Sequence, residues 1–393
     1  MRYDFDEVLD LTGGNSLKWE GYKGRWGRDD LLPLWVADMD FRTPPFVINA
    51  IKKQLESGVL GYSIVDKDWA PAIISWQWRR HAWKIKAKEL TFMPGIVKGI
   101  GYTVLSFTQK DDTILMHGPV YHPFHLVPRA MGRKVRFNEL VYENGTYHID
   151  FERFAEDVKG CRLFILSNPH NPGGIVWSRE DLEKMARICK EAGCIVVSDE
   201  IHADLALPGH THIPFASVCE EAASNCITFG APTKAFNLPG VITSYCIVQD
   251  DSLRRCFFNF LAAGEYNDGN MFAYAACAAC YNEGEEWLEQ VTAYIQSNID
   301  FLGEYLRENI PAISFIRPEA SFLVFLDCRA LGLPQDKLVD LFVDKAHLAL
   351  NDGTTFGPGG EGFMRLNVGC PRATLTKALE QLKAGIVSHE ASR

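Results

Sequence analysis

Four side chains in this sequence have types and settings that could act together: Tyr121, Asn171, Asp199 and Lys234. Each follows a short apolar run. His117-Gly118-Pro119-Val120-Tyr121 follows Ile114-Leu115-Met116, and Ser167-Asn168-Pro169-His170-Asn171-Pro172-Gly173-Gly174 follows Leu163-Phe164-Ile165-Leu166. Ser198-Asp199-Glu200-Ile201-His202 follows Ile195-Val196-Val197, and Gly230-Ala231-Pro232-Thr233-Lys234-Ala235-Phe236-Asn237 follows Ile227-Thr228-Phe229. Taken singly, each has an ordinary reading. Asp199 caps a helix, Asn171-Pro172-Gly173-Gly174 is a turn, and Tyr121 is core. Lys234 stands apart, because small residues precede it and Ala235-Phe236 follow it, a setting that partly buries the amine. Desolvation lowers an amine's pKa and makes it nucleophilic. A nucleophilic amine with a carboxylate, an amide and an aromatic plate is a set for capturing an aldehyde carried on an aromatic ring.

Pyridoxal 5'-phosphate suits that set. The amine forms a Schiff base, Asp199 keeps the pyridine nitrogen protonated, Asn171 donates to the ring phenolate oxygen, and Tyr121 stacks on the ring. Its phosphate needs backbone N–H groups at a helix start. Met93-Pro94-Gly95-Ile96-Val97 leads into an expected helix over 97–107 that would supply them.

These residues need a scaffold that brings four loops together. The four apolar runs are too short for helices and apolar on both faces, as central parallel strands must be. A helix is expected from Ser178 to Ala192, with Ser178 as cap, Asp181 reaching back, Leu182, Met185, Ala186 and Cys189 on one face, and Gly193 as its end. Such β-α-β alternation predicts a parallel sheet covered on both faces, and ligands bind at the carboxyl edge of such sheets. Past residue 285 the pattern changes to a long helix Trp287–Asn309, a strand Phe322–Leu326, a helix Gln335–Lys345, a strand Phe363–Val368 and a last helix. Residues 1–45 are irregular and aromatic, and Leu32 to Phe41 reads as strand-like. The expected fold class is α/β: a three-layer, mostly parallel large domain over 46–285, a smaller C-terminal α/β domain over 286–393, and residues 1–45 packing with the small domain.

Composition limits the partners. At 393 residues, roughly 150 per domain allows two or three domains. The net charge is −10, which argues against a nucleic-acid or polybasic membrane surface. No apolar run reaches the ~18–20 residues that span a bilayer, and the acidic start lacks a signal-peptide core. A cytoplasmic location is expected, and the eleven scattered cysteines fit it. Cys277-x-x-Cys280 lies in an alanine-rich helical pattern and lacks a second pair, so it reads as packing. His202, Asp204, His210 and His212 are close in sequence but lack the spacing of a complete ligand set, and no metal is expected.

Asn168-Pro169-His170-Asn171-Pro172-Gly173, then Asp199-Glu200-Ile201-His202, then Lys234 resembles the aspartate-aminotransferase superfamily, fold type I of the pyridoxal enzymes. Trp35-Val36-Ala37-Asp38-Met39-Asp40-Phe41, Gly61-Tyr62, Asp199 to His202, and Lys234-Ala235-Phe236-Asn237-Leu238-Pro239-Gly240 resemble more closely the MalY/PatB group of cystathionine β-lyases. The likeness spans essentially the whole chain. It implies that Lys234 holds the cofactor and moves the α-proton, with Tyr121 and Tyr62 also catalytic. Gly95, Ile96, Val97, Asn171, Asp199, His202 and Thr233 would bind the cofactor, with Thr233 as a hydroxyl donor to its phosphate. Arg365, Tyr62 and Ala37 would bind a small amino-acid substrate, Arg365 by clamping its α-carboxylate. It further implies a homodimer with shared sites, Tyr62 reaching into its neighbour.

Three departures from typical aminotransferases stand out. His202 replaces the tyrosine of Asp-x-x-Tyr, as in the lyase group. Ile242 stands where many carry a phosphate-binding arginine, and Ala231 where a hydroxyl residue is common. The resemblance implies α,β-elimination from L-cystathionine or another S-substituted cysteine, giving a thiol, pyruvate and ammonia. An aminotransferase uses the same lysine, aspartate and arginine and is the alternative. A third reading is a MalY-like modulator of a transcription activator, acting through a protein partner.

Overall fold

A computed structural model describes residues 2–391. Its centre is a seven-stranded sheet. In chain order the strands are β1 (Leu90–Met93), β2 (Thr113–Gly118), β3 (Lys134–Glu139), β4 (Cys161–Ser167), β5 (Ile195–Asp199), β6 (Cys226–Gly230) and β7 (Ser244–Ile247). Their spatial order is β1-β7-β6-β5-β4-β2-β3. The pairs from β6 through β3 are parallel, while β7 runs antiparallel to both β6 and β1. Patterning in the sequence singled out β2, β4, β5 and β6. It did not pick out β1, β3 or β7.

Side chains alternate across each central strand, so both faces must be covered. Ile114, Met116, Leu163, Ile165 and Val197 join one buried cluster with Ile100, Val104, Phe257 and Leu261 of the helices Ile96–Phe107 and Asp251–Ala263. Leu115, Phe164, Leu166 and Val196 join the other with Trp76, Leu182, Met185 and Cys277 of helices Trp69–His81, Arg179–Glu191 and Met271–Glu283. The result is three layers. Ser178 caps its helix as expected: its Oγ accepts from Asp181 N at 3.1 Å and donates to the Asp181 carboxylate at 2.6 Å. Gly193, at φ +66°, follows the end. Cys277 and Cys280 are buried in helix packing.

A second, four-stranded antiparallel sheet follows the helix Glu285–Asn309. Its strands are β8 (Ser314–Ile316), β9 (Leu323–Asp327), β10 (Asn351–Asp352) and β11 (Phe363–Asn367), in the order β8-β9-β11-β10. The helix expected over Gln335–Lys345 is α-helical only to Asp340, and Leu341–Lys345 widens into a π-turn.

The stretch Leu32 to Phe41 is not one strand. Only Leu32–Pro33 pairs, parallel to Leu348–Ala349. The rest is a strap whose backbone is held mainly by side chains from both halves of the chain. Asn367 Nδ2 donates to the carbonyls of Val36 and Asp38 at 2.7 and 2.6 Å. Asn237 accepts from Met39 N at 2.9 Å and donates to the carbonyls of Met39 and Phe41. Those partners replace a neighbouring strand, which is why an apolar segment can leave the sheet here. No helix among the described residues is long and apolar enough to cross a membrane.

Candidate active site

The carboxyl ends of β1, β2, β4, β5 and β6 open at one edge, and their loops enclose a cavity of about 330 Å³. Gly95, Ile96, Val97, Tyr121, Asn171, Asp199, His202, Thr233, Lys234 and Ala37 line it. Arg365 reaches it through Asn171, its Nη1 donating to Asn171 Oδ1 at 3.2 Å. Tyr62 alone of the expected residues lies apart, fully exposed in a segment without helix or strand.

Lys234 is partly exposed, and its surface faces this cavity. Its Nζ donates to Ala37 O of the strap at 2.5 Å. Burial, with Arg365 adding to it, lowers the amine to about 8 despite the opposing pull of Asp38 and Asp199. About a tenth of the amine is therefore uncharged at pH 7 and about half at pH 8, far more than an ordinary lysine supplies to act as nucleophile or base. Asp199 ends β5, and its Oδ1 accepts from Ile201 N at 3.0 Å. Burial pushes its carboxyl up to about 7. A carboxylate so desolvated gains from a cation placed against it.

Arg365, on β11, is buried with no carboxylate partner among the described residues. Its Nη2 donates to Asn351 Oδ1 at 2.8 Å and to Trp35 O at 3.0 Å, its Nε has no hydrogen-bond partner among the described residues, and its plane lies 4.9 Å from the Phe356 ring. Burial lowers it to about 10, still charged at neutral pH. An oriented guanidinium lacking a counter-ion is a ready carboxylate receptor. Asn171 uses its Oδ1 on Arg365, which leaves its Nδ2 donor for a ligand. Tyr121 N donates to Asn171 O at 3.1 Å, so the plate and the amide are held together.

At the start of helix Ile96–Phe107, Gly95 has φ +106°, and a Cβ there meets nothing nearer than Ile242 at 3.9 Å. The tight turn presents the first helix amides to the cavity, an arrangement for phosphate. Ile242 lines the cavity opposite, apolar as the sequence predicts. The sequence reading missed Lys98, the one cationic side chain besides Lys234 in the lining among the described residues, and also Ser167, Ile201 and Ser244. Charge followed by an apolar stretch, Lys98 before Gly99-Ile100-Gly101, was the available signal.

Histidines that are close in sequence separate in space. His202 lines the cavity with Nδ1 lacking a hydrogen-bond partner among the described residues, and burial lowers it to about 3. His212 meets Glu200 at 3.0 Å, Asp204 takes His81 and Trp76, and His210 lies 3.8 Å from Glu319.

A model of the family described as aminotransferase class I and II matches residues 29–382. The chain belongs to that family. Within the family it is 40% identical to the cystathionine β-lyase PatB of Bacillus subtilis, across 98% of this chain and 100% of the relative. Its structure matches cystalysin of Treponema denticola, which contains a pyridoxal 5'-phosphate cofactor, with a TM-score of 0.95 and 31% identity over 99% of this chain and 100% of that one. It also matches the pyridoxal-phosphate-bound C–S lyase of Staphylococcus hominis, with a TM-score of 0.91 and 33% identity over 98% and 99%. The architecture is therefore that of the fold type I pyridoxal enzymes, as the motifs predict. The cavity fits the cofactor this family uses: a buried amine, a carboxylate, an amide donor, an aromatic plate and a helix start all face one space.

Proposed function

We propose that the chain is a pyridoxal-phosphate-dependent C–S β-lyase that cleaves L-cystathionine or another S-substituted L-cysteine to a thiol, pyruvate and ammonia. The carrying observation is a desolvated Lys234 lining the cavity and an oriented Arg365, without a carboxylate partner among the described residues, that reaches it through Asn171. When bound, pyridoxal phosphate supplies a sink for the electrons left as the α-proton departs. The remaining work belongs to the chain. Arg365 binds the α-carboxylate, and its bond to Asn171 ties substrate position to ring position. Lys234 takes the α-proton. The Gly95–Val97 turn and Thr233 hold phosphate, Asp199 holds the ring cation, Asn171 Nδ2 its phenolate oxygen, and Tyr121 its face.

The working unit we propose is a homodimer in which Tyr62 of each copy completes the other's site. In its support, Tyr62 stands exposed among Val59, Leu60, Ile64 and Val65, which are exposed too. An apolar run of this kind calls for cover. We propose further that residues 46–285 and 286–393 are separate domains bridged by the strap, in support of which the seven-stranded sheet falls within the first and the four-stranded sheet within the second.

Incubation with L-cystathionine and no 2-oxo acid tests the activity. Pyruvate, ammonia and homocysteine in equal amounts support it. Turnover only after a keto acid is added replaces it with transamination.

A further inference from the structure

Lys98 lines the cavity together with Lys234, and no third lysine or arginine does so among the described residues. Lys234 is engaged: its Nζ donates to the Ala37 carbonyl. Lys98 is exposed, and its amine makes no ion pair or hydrogen bond with any described residue.

Lys98 is the third residue of the helix Ile96–Phe107. The amides of a helix start carry partial positive charge, so a lysine among them is repelled by its own helix unless an anion lies close by. The first turn supplies none, for it holds no acidic residue, and Gly95 before it has no side chain to cap the amides. Helical Cα–Cβ bonds tilt toward the helix N-terminus, so the stem of Lys98 sets out toward that turn. Its four flexible carbons let the ammonium fold back over the turn.

The rest of the lining leaves a charge unmet. A phosphate monoester carries about two negative charges at neutral pH. Thr233 and the helix amides offer hydrogen bonds but no full charge, and Ile242 on the opposite wall offers neither. Arg365 lies outside the lining, held by Asn171, Asn351 and the Trp35 carbonyl.

We propose that Lys98 is the charged anchor of the cofactor phosphate, supplying from the helix start the cation that Ile242 does not supply from the opposite wall. This rests on reading the cavity as the seat of pyridoxal phosphate. It turns an unfavourable lysine at a helix start into a selector for the phosphorylated form of the cofactor over free pyridoxal.

The test reads binding, without turnover. The full-length chain, freed of cofactor, is titrated with pyridoxal 5'-phosphate and separately with pyridoxal, following the absorbance of the Lys234 adduct. Lys98→Met should raise the Kd for pyridoxal 5'-phosphate roughly tenfold, as loss of a charge-assisted hydrogen bond does. Its Kd for pyridoxal, which has no phosphate, should stay at the wild-type value. Lys98→Arg, which keeps the charge, should bind pyridoxal 5'-phosphate within about threefold of wild type. An unchanged Kd in Lys98→Met, an equal loss for both compounds, or an equal loss in Lys98→Arg overturns the proposal. Should Lys98→Met fail to fold, Lys98→Gln is held to the same values. A wild-type chain that takes up neither compound overturns the cofactor reading and this proposal with it, whereas tight wild-type binding that Lys98→Met leaves intact overturns this proposal alone.

Discussion

At Lys234 burial and charge pull in opposite directions, and the balance leaves an amine near 8 rather than above 10. On the proposed function, Lys234→Ala removes the covalent anchor for the cofactor. The purified wild-type protein should absorb near ~420 nm as the lysine adduct, and the variant should lose that band on dialysis. Arg365→Lys keeps the charge but loses the planar fork. The KM for an S-substituted cysteine should rise roughly 10–100-fold, the equivalent of the ~1.5–3 kcal/mol of a charge-assisted hydrogen bond. Steady-state kinetics checks this, and a larger change in kcat than in KM would assign Arg365 another role. At this scale the sequence was informative where a charged residue stands at or a few positions past the end of an apolar strand, as at Asp199 and Lys234. It was silent on Lys18 and Asp38, which meet at 3.8 Å only through folding.

The strap, whose sequence reads as strand, is held by Asn237 and Asn367 instead of a sheet neighbour. Asn237 makes three bonds to its backbone, so Asn237→Ala leaves buried amide and carbonyl groups unpaired. The variant should lose about 2–3 kcal/mol of stability in a urea titration, at ~1 kcal/mol per bond. The end of β2 and the loops at the sheet edge also carry histidines that burial keeps neutral: His117 and His122 are lowered to about 4, and His170 and His202 to about 3. In the unfolded chain each takes a proton near the ordinary histidine value of ~6.5, so the unfolded state binds more protons below that pH. Their contribution is thus complete above ~6.5 and lost as pH falls toward about 3–4. Calorimetry from pH 7 to 4.5 should show a falling melting temperature, with a smaller fall in His117→Gln. Periodicity identified the capped helix after Ser178, because cap, face and terminator agree there. It misread the strap, because periodicity cannot tell a paired backbone from one held by side chains.

For the molecule as a whole, the proposed dimer makes a prediction that no single chain can. Tyr62→Ala and Lys234→Ala should each be inactive alone. Mixed, unfolded and refolded together, they should regain activity, because a hybrid dimer contains one site with both residues. Persistent inactivity with hybrids present by native mass spectrometry would place Tyr62 outside the neighbour's site. From its sequence alone this protein was determined to be a three-layer α/β chain with a lysine, a carboxylate, an amide and an aromatic ring at one sheet edge. Local runs of apolar residues and the polar loops after them are enough for that. Tertiary structure alone decided the strand order β1-β7-β6-β5-β4-β2-β3 with β7 reversed, and the meeting of Arg365 with Asn171. It alone set the Ala37 carbonyl against the Lys234 amine. The reason is physical: strand order and charge balance depend on contacts between residues hundreds of positions apart, which local patterning does not encode.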